Sequence, residues 1–583
     1  LPPRAPQARE RASRLRARGV LNARVMRLAM LYMASALAAC ATSGDDGPRK
    51  LDPLPPPGKD DSQFHAGLAT NIDSSLTDVW TVTRQWQDVE ADAGLAWPAN
   101  SGLTWDDKYR KWIESFQWTP GVDGWSTTYT LTTPFGKTLP APSLECAETA
   151  MFLRIAFASW YGLPIMFEAQ DDNGQRIYFG HFGIRTLTDR YTGMPQFATQ
   201  YKDYTNSDWH TQWPHDAKLR ARIIHGGDES QPELAPDATL GTYLDEMLLN
   251  KRVGYFTTLV LDYLGSVNLA DVANTYNLQP EAVQPGDFLL ERWQKNGIGH
   301  TLVVKEVTPV GTASFDVTLV SGSMPRRQGV KASGTAAKEY FTGPYTGGPG
   351  TASDGTPYVQ LGGGLKRWRV AKAINGYWTN TWMDGDEAHW INSTDFDRLS
   401  ARPARFEQLL GEVPLDQQKT ELLAQIADAR HHLSQYPSSC AARTQREVAF
   451  RQLYDVESRL EMKDGSQVDN EQRQLEDYVF GELDYTHSMT CCWDSSTSAM
   501  HDLIVAEAMA DKVAADAAGT CTAPIVFEAQ SGSYQRWADY AASVGRAADW
   551  KPYTDDEGCA AKGITTDQEA SSSATPYCSL AQH

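Results

Sequence analysis

The first 400 residues contain two cysteines, Cys40 and Cys146, out of eight in the chain. That scarcity excludes a disulfide framework over most of the protein. A basic surplus is also missing: 53 Lys and Arg stand against 73 Asp and Glu, a net charge of −20. Phosphate binding wants a basic face, so nucleic acid is excluded as a main partner. No phosphate loop, dinucleotide fingerprint or solenoid-length repeat appears, and the sequence implies no cofactor. What remains is ordinary for a folded protein: 41% hydrophobic residues over 583 positions, enough for several domains.

Residues 1–39 hold eight arginines and one acid. An apolar run from Leu28 to Leu37 follows Arg27, and Ala38 and Ala39 precede Cys40. A basic start, a short apolar stretch and a small-residue end describe a signal peptide, too short for a stable membrane span. The chain opens on Leu, so translation is expected to begin inside it, at Met26. The ending Leu37-Ala38-Ala39-Cys40 resembles a bacterial lipobox. That resemblance implies cleavage before Cys40, lipid on its thiol, and, with Ala41 next, the outer membrane of a Gram-negative envelope. The membrane is then met through the anchor alone.

Residues 40–62 are rich in Pro, Gly and Asp and read as a tether. From 63 to 397 a mixture of apolar helical and strand-like runs reads as an α+β domain. Helices are expected near 105–117 and 144–161, and residues 322–364 read as a long loop. From 398 to 583 apolar residues recur at helical spacing, as at Leu422, Ile426, Ala429 and Leu433, so this part reads as an α-helical domain. It holds Cys440, Cys491, Cys492, Cys521, Cys559 and Cys578. Six cysteines in an exported domain imply up to three disulfides, in any of about 15 connectivities. The adjacent Cys491 and Cys492 also precede a helix and are rival nucleophiles, a weaker reading than disulfide pairing.

Cys146 opens the run "CAETAMFLRIAFASW". Ser143 is the expected N-cap, which puts Cys146 in the first helical turn, where free N–H groups and the helix dipole favour a thiolate. Glu145 and Glu148 oppose that. The helix is apolar on nearly every side and so is central and buried. Packing and catalysis fit this segment equally. A second stretch, "VQPGDFLLERWQKNGIGHTLVV", carries a Pro285-Gly286-Asp287 turn, a short strand, and Gly299-His300 opening the next strand.

Together these pieces resemble the NlpC/P60 family of cell-wall cysteine peptidases, which have a papain-like fold. There a cysteine heads a helix, a "pGD" turn starts a strand and a "GH" histidine begins the following one. The resemblance implies Cys146 as nucleophile, His300 as base, and peptide or peptidoglycan as substrate. It covers about 60 residues in two pieces, with a large insertion between them; "LECAE" stands where the family has "DCSG". The third, histidine-orienting residue is expected at Ser321, with Ser323 or Asp316 as alternatives. His181, in "YFGHFGIR", is a competing base without the preceding Gly-Asp strand. The stretch "WYGLPIMFEA" also resembles the transglutaminase-like branch, in which an amine completes the reaction. A non-enzymatic envelope protein that acts as a binding or scaffold module is the alternative from another class.

Seven tryptophans, Trp80, Trp86, Trp97, Trp105, Trp112, Trp118 and Trp125, fall within about 45 residues. Core packing is the first reading and a glycan or peptide groove the second. His210, His215, Asp216 and His225 match no closed zinc spacing and read as an ordinary loop, so no metal is expected.

Overall fold

The computed structural model describes residues 61–62, 65–89, 96–98, 100–124, 126–224, 238–295, 297–310, 314–324, 326–493, 495–553 and 563–580. The signal segment, Cys40, the tether, Trp125, His225 and Cys559 lie outside them. The chain divides into two units, with the boundary between Gly411 and Glu412. The expected boundary at 397/398 therefore falls early. The helix Arg402–Leu409 belongs to the first unit because Phe406 and Leu410 complete its core.

The first unit is α+β. Its main sheet is antiparallel and has seven strands. They are β1 (Thr275–Leu278), β2 (Phe288–Glu291), β3 (His300–Val310), β4 (Ser314–Ser321), β5 (Val330–Ala332), β6 (Gly364–Trp368) and β7 (Trp390–Ile391). The order across the sheet is β5-β4-β3-β2-β6-β1-β7. Helix α1 spans Trp105–Glu114, α2 Cys146–Trp160, α3 Lys251–Tyr263, α4 Gly334–Thr342 and α5 Arg402–Leu409.

Strand side chains alternate between faces, and the two faces bury different sets. Phe288, Leu290, Val303, Val320 and Trp368 pack with α2. Leu289, Leu302, Val304, Leu319 and Leu365 pack with Ala337 and Phe341 of α4 and Phe406 of α5. The sheet is thus covered on both sides.

Helix α2 is buried from Ala147 to Ala158 on all sides, as its sequence demands. Of its two internal charges, Glu148 pairs with Arg326, and Arg154 lies 3.3 Å above the Trp86 ring and 3.3 Å from Asp106. The chain leaves the helix through Gly162 at φ +62°, a left-handed position that suits glycine. Trp80, Trp86, Trp97, Trp105 and Trp112 are buried in the same core. The tryptophan cluster is packing, not a groove; Trp118 is half-buried between Lys305 and Lys331.

Two local readings are corrected. Ser143 is not the N-cap: Ser143–Leu144 is a short strand paired with Arg327–Gln328, and Glu145 caps the helix. The stretch expected as a loop contains α4, whose Ala337 and Phe341 have core to cover.

The second unit is helical, with α6 (Leu415–Gln435), α7 (Cys440–Glu461), α8 (Ser498–Ala517) and α9 (Gly532–Ser543). Cys440 pairs with Cys491 and Cys521 with Cys578. Cys492 is also disulfide-bonded, so neither member of the Cys491-Cys492 pair is a nucleophile. No helix among the described residues is long and apolar enough to cross a membrane.

Candidate functional site

Cys146 is the first residue of α2 and the one free cysteine among the described residues. The head of the helix is held in place by the Ser143–Leu144 pairing and by Gly322, where a Cβ would lie 2.0 Å from the Leu144 carbonyl oxygen. Only a glycine lets the end of β4 pass so close. The result is a thiol pressed against the start of β3. Its Sγ–H donates to the Gly299 carbonyl at 3.7 Å, and the Thr301 N–H donates to the sulfur.

The surroundings keep the thiol protonated. Burial pushes it up to about 12, and the carboxylates of Glu145 and Glu148 push the same way. The N–H groups of Thr301 and Ala147 oppose this and lose. Glu148 forms a buried two-pronged pair with Arg326, at 2.9 Å and 2.8 Å. Glu145 lies 3.8 Å from the same guanidinium, and burial lifts its carboxyl to about 7. A cavity of about 240 Å³ opens here, lined by Cys146, Leu261, Leu264, Ile298, Met324 and Arg326 among others.

His300 is across the sheet. Register pairs Glu291 with His300, Leu290 with Thr301 and Leu289 with Leu302. Thr301 and Val303 share a parity and Val303 packs with α2, whereas Leu302 and Val304 pack with α4. His300 has the α4 parity, and its ring lies 5.9 Å from that of Tyr340 on α4. Burial, aided by Arg327, lowers the imidazole to about 4. The peptide groups on either side of His300 touch the thiol; its ring projects to the other face.

No protein-family model, curated protein or solved structure matches this chain.

The expected third residues do not orient His300. Ser321 Oγ–H donates to the carbonyls of Thr301 and Gly322. Ser323 joins this region through its N–H on Leu144. Asp316 pairs with Thr308, eight residues along β3 from His300, a distance of roughly 26 Å in a strand. His181 packs against Trp378 and Phe182, with ring centroids at 4.4 Å and 4.9 Å. Burial lowers it to about 4. It is a core histidine.

Asp287 of the Pro-Gly-Asp turn is structural. It holds Arg367 at 2.6 Å and 2.8 Å and caps its own turn through the Gln284 N–H. His215, Asp245 and Glu246 converge within 4.8 Å, the one feature with metal-like geometry among the described residues. Cations already fill it: Arg220 and Lys251 lie 2.7 Å and 2.9 Å from Asp245, and Arg220 and Lys137 pair with Glu246. His210 stacks on Trp209, and Asp216 caps the helix Ala217–Arg220.

Sequence reasoning missed Arg326. The one legible signal was the Glu145–Glu148 spacing, which forms a reciprocal cap at the head of α2.

Proposed function

We propose that the first unit is a binding module of the cell envelope, with a papain-like layout but without a working thiol–imidazole pair. The observation that carries this reading is parity along β3: His300 faces α4 while Cys146 heads the helix on the other side. A nucleophilic cysteine needs a base within hydrogen-bond reach and a lowered pKa. Here the thiol is raised to about 12 and bonded to a carbonyl. The lipobox-like ending at Cys40 supports export and lipid anchoring; loss of palmitate labelling in Cys40→Ala checks it.

The test is turnover. Purified full-length protein is incubated with peptidoglycan, and new amino termini are counted beside Cys146→Ala. The expected result is no release above the variant. Release by the wild type that Cys146→Ala and His300→Ala both abolish overturns the reading.

That second outcome is the amide-hydrolase reading, with Cys146 as nucleophile and His300 as base. One observation favours it: the thiol contacts the peptide groups of Gly299 and Thr301, so the histidine backbone is already adjacent. A one-residue slip at the start of β3 would reverse the parity of His300. Hydrolysis would then use water, and the transglutaminase-like variant an amine.

A further inference from the structure

Three exposed large apolar side chains line one cavity: Tyr263 at 37%, Ile298 at 40% and Met324 at 52%. It is the cavity of about 240 Å³ at the head of α2, and the buried Leu261 and Leu264 continue its apolar wall. Exposed apolar side chains gathered at the mouth of a cavity mark a ligand site, where the same residues scattered singly would not. The volume bounds the ligand. It equals that of about eight liquid waters and falls below the roughly 300–1,000 Å³ of drug-sized sites. One ring or a short alkyl chain fits; an oligomer does not. Gly265 borders the same space, and a Cβ there meets nothing within 4 Å.

Most polar groups of the wall are already committed. Ser266 Oγ accepts from the Gly299 N–H at 2.9 Å and from Arg292 at 3.2 Å. The Asn268 side-chain oxygen accepts from the Gly265 N–H at 2.9 Å. Glu148 accepts two N–H groups of Arg326 and the N–H of Glu145. Glu145 differs. It caps α2, but a carboxylate has about four acceptor positions, and the Arg326 guanidinium 3.8 Å away is already two-pronged on Glu148.

The charges around the cavity leave an acidic surplus. Glu145, Glu148, Asp262 and Arg326 line it, and the Arg292 guanidinium lies behind Ser266 and Gly297. That sets three acids against two bases. The partial positive charge at the N-terminus of α2 is answered by the reciprocal cap of Glu145 and Glu148. Burial and Glu148 raise Glu145 to about 7 in spite of Arg326, which agrees with a shortage of positive charge at this carboxyl.

We infer that the cavity binds a primary ammonium carried on an apolar chain or ring, with the ammonium on the Glu145 carboxylate and the hydrocarbon against Leu261, Leu264 and Ile298. This names a ligand class for the Cys146 site and rests on the binding-module reading, in which that site holds a ligand and does not turn it over. A free amine and the amino-terminal residue of a peptide both carry this chemistry.

The experiment titrates the full chain by calorimetry at pH 8, above the Glu145 value. The probes are phenethylamine and the peptide Phe-Gly-Gly, beside the neutral phenethyl alcohol and the anionic 3-phenylpropionate. Saturable binding of at least one ammonium probe is expected, at least tenfold tighter than the alcohol or the acid; the tighter of the two names the source. Glu145→Gln should weaken the ammonium probe about tenfold, the scale of one charge-assisted hydrogen bond, and leave the alcohol unchanged. Gly265→Leu fills the space and should weaken both. Far-UV circular dichroism checks that each variant is folded. Equal binding of amine, alcohol and acid overturns the proposal, as does tightest binding of the acid or no saturable binding of either ammonium probe. So does ammonium binding that folded Glu145→Gln and Gly265→Leu both leave intact. Cys146-dependent peptidoglycan cleavage by a chain that binds the ammonium probe would sink the binding-module reading and leave the ligand class standing. Absence of both cleavage and binding would sink the ligand class alone.

Discussion

Two buried acids or thiols can look alike in sequence and differ wholly in setting. Cys146 has the helix N-terminus that lowers thiol pKa values. It also has two glutamates and a largely buried setting, which raise them, and the second set wins. Alkylation by iodoacetamide should therefore stay slow through pH 9 and rise only as pH approaches 11 to 12. A stopped-time mass measurement across pH reads this directly; a midpoint near pH 7 would refute it. Glu168 is the clearer case. Both its oxygens are buried without a hydrogen bond, and Arg176 stands 4.0 Å off. Burial raises its carboxyl to about 8. The unfolded value lies near 4.3, so this group's contribution is fully present below that pH and is lost as pH rises towards 8. Glu168→Gln should thus be more stable than wild type at pH 7, by on the order of 2 kcal/mol, and nearly equal at pH 4. Urea unfolding at the two pH values decides it; a gap that shrinks with rising pH would contradict the argument.

At the scale of elements, close approach sets the site. Gly322 lets β4 pass the Leu144 carbonyl, and that contact seats the head of α2. Gly322→Ala forces a shift of backbone against backbone. It should cost about 2–3 kcal/mol, the range for overpacking a tight contact, read as a lower denaturant midpoint. A neutral effect would mean that the helix head is not held there. Helix α2 was legible because it is apolar on every side and bounded by Gly162. The strand β3 was legible as a strand, but the direction of His300 was not. "HTLVV" is apolar on both parities because α2 covers one face and α4 the other. Alternation reveals a face only when the opposite one is polar. Helix α4 was hidden for a related reason: its short sequence sits among glycines and threonines, and only its packing on β4 and α5 makes it a helix. The N-cap moved from Ser143 because pairing with Gln328 claimed that backbone first.

At the scale of the whole molecule, the two units are stabilised by different means. The first has a sheet covered on both faces and no disulfide among its described residues. The second packs Leu422, Ile426, Phe450 and Leu453 between two long helices, beside a buried ion network. In that network Arg473 holds Glu447 and Asp469, both at 2.8 Å. Its cross-links close intervals of 51 and 57 residues. In the chain-entropy model, loops of that length each stabilise the fold by about 4 kcal/mol. Reduction should therefore act on one unit alone. In calorimetry the native chain should show two transitions, as expected for units with separate cores. Adding dithiothreitol should lower or abolish the one belonging to residues 412–583 and leave the other in place. A fragment ending at Gly411 identifies the unmoved transition. Parallel movement of both transitions on reduction would show that the units unfold as one, and the separate-core argument would fail with it.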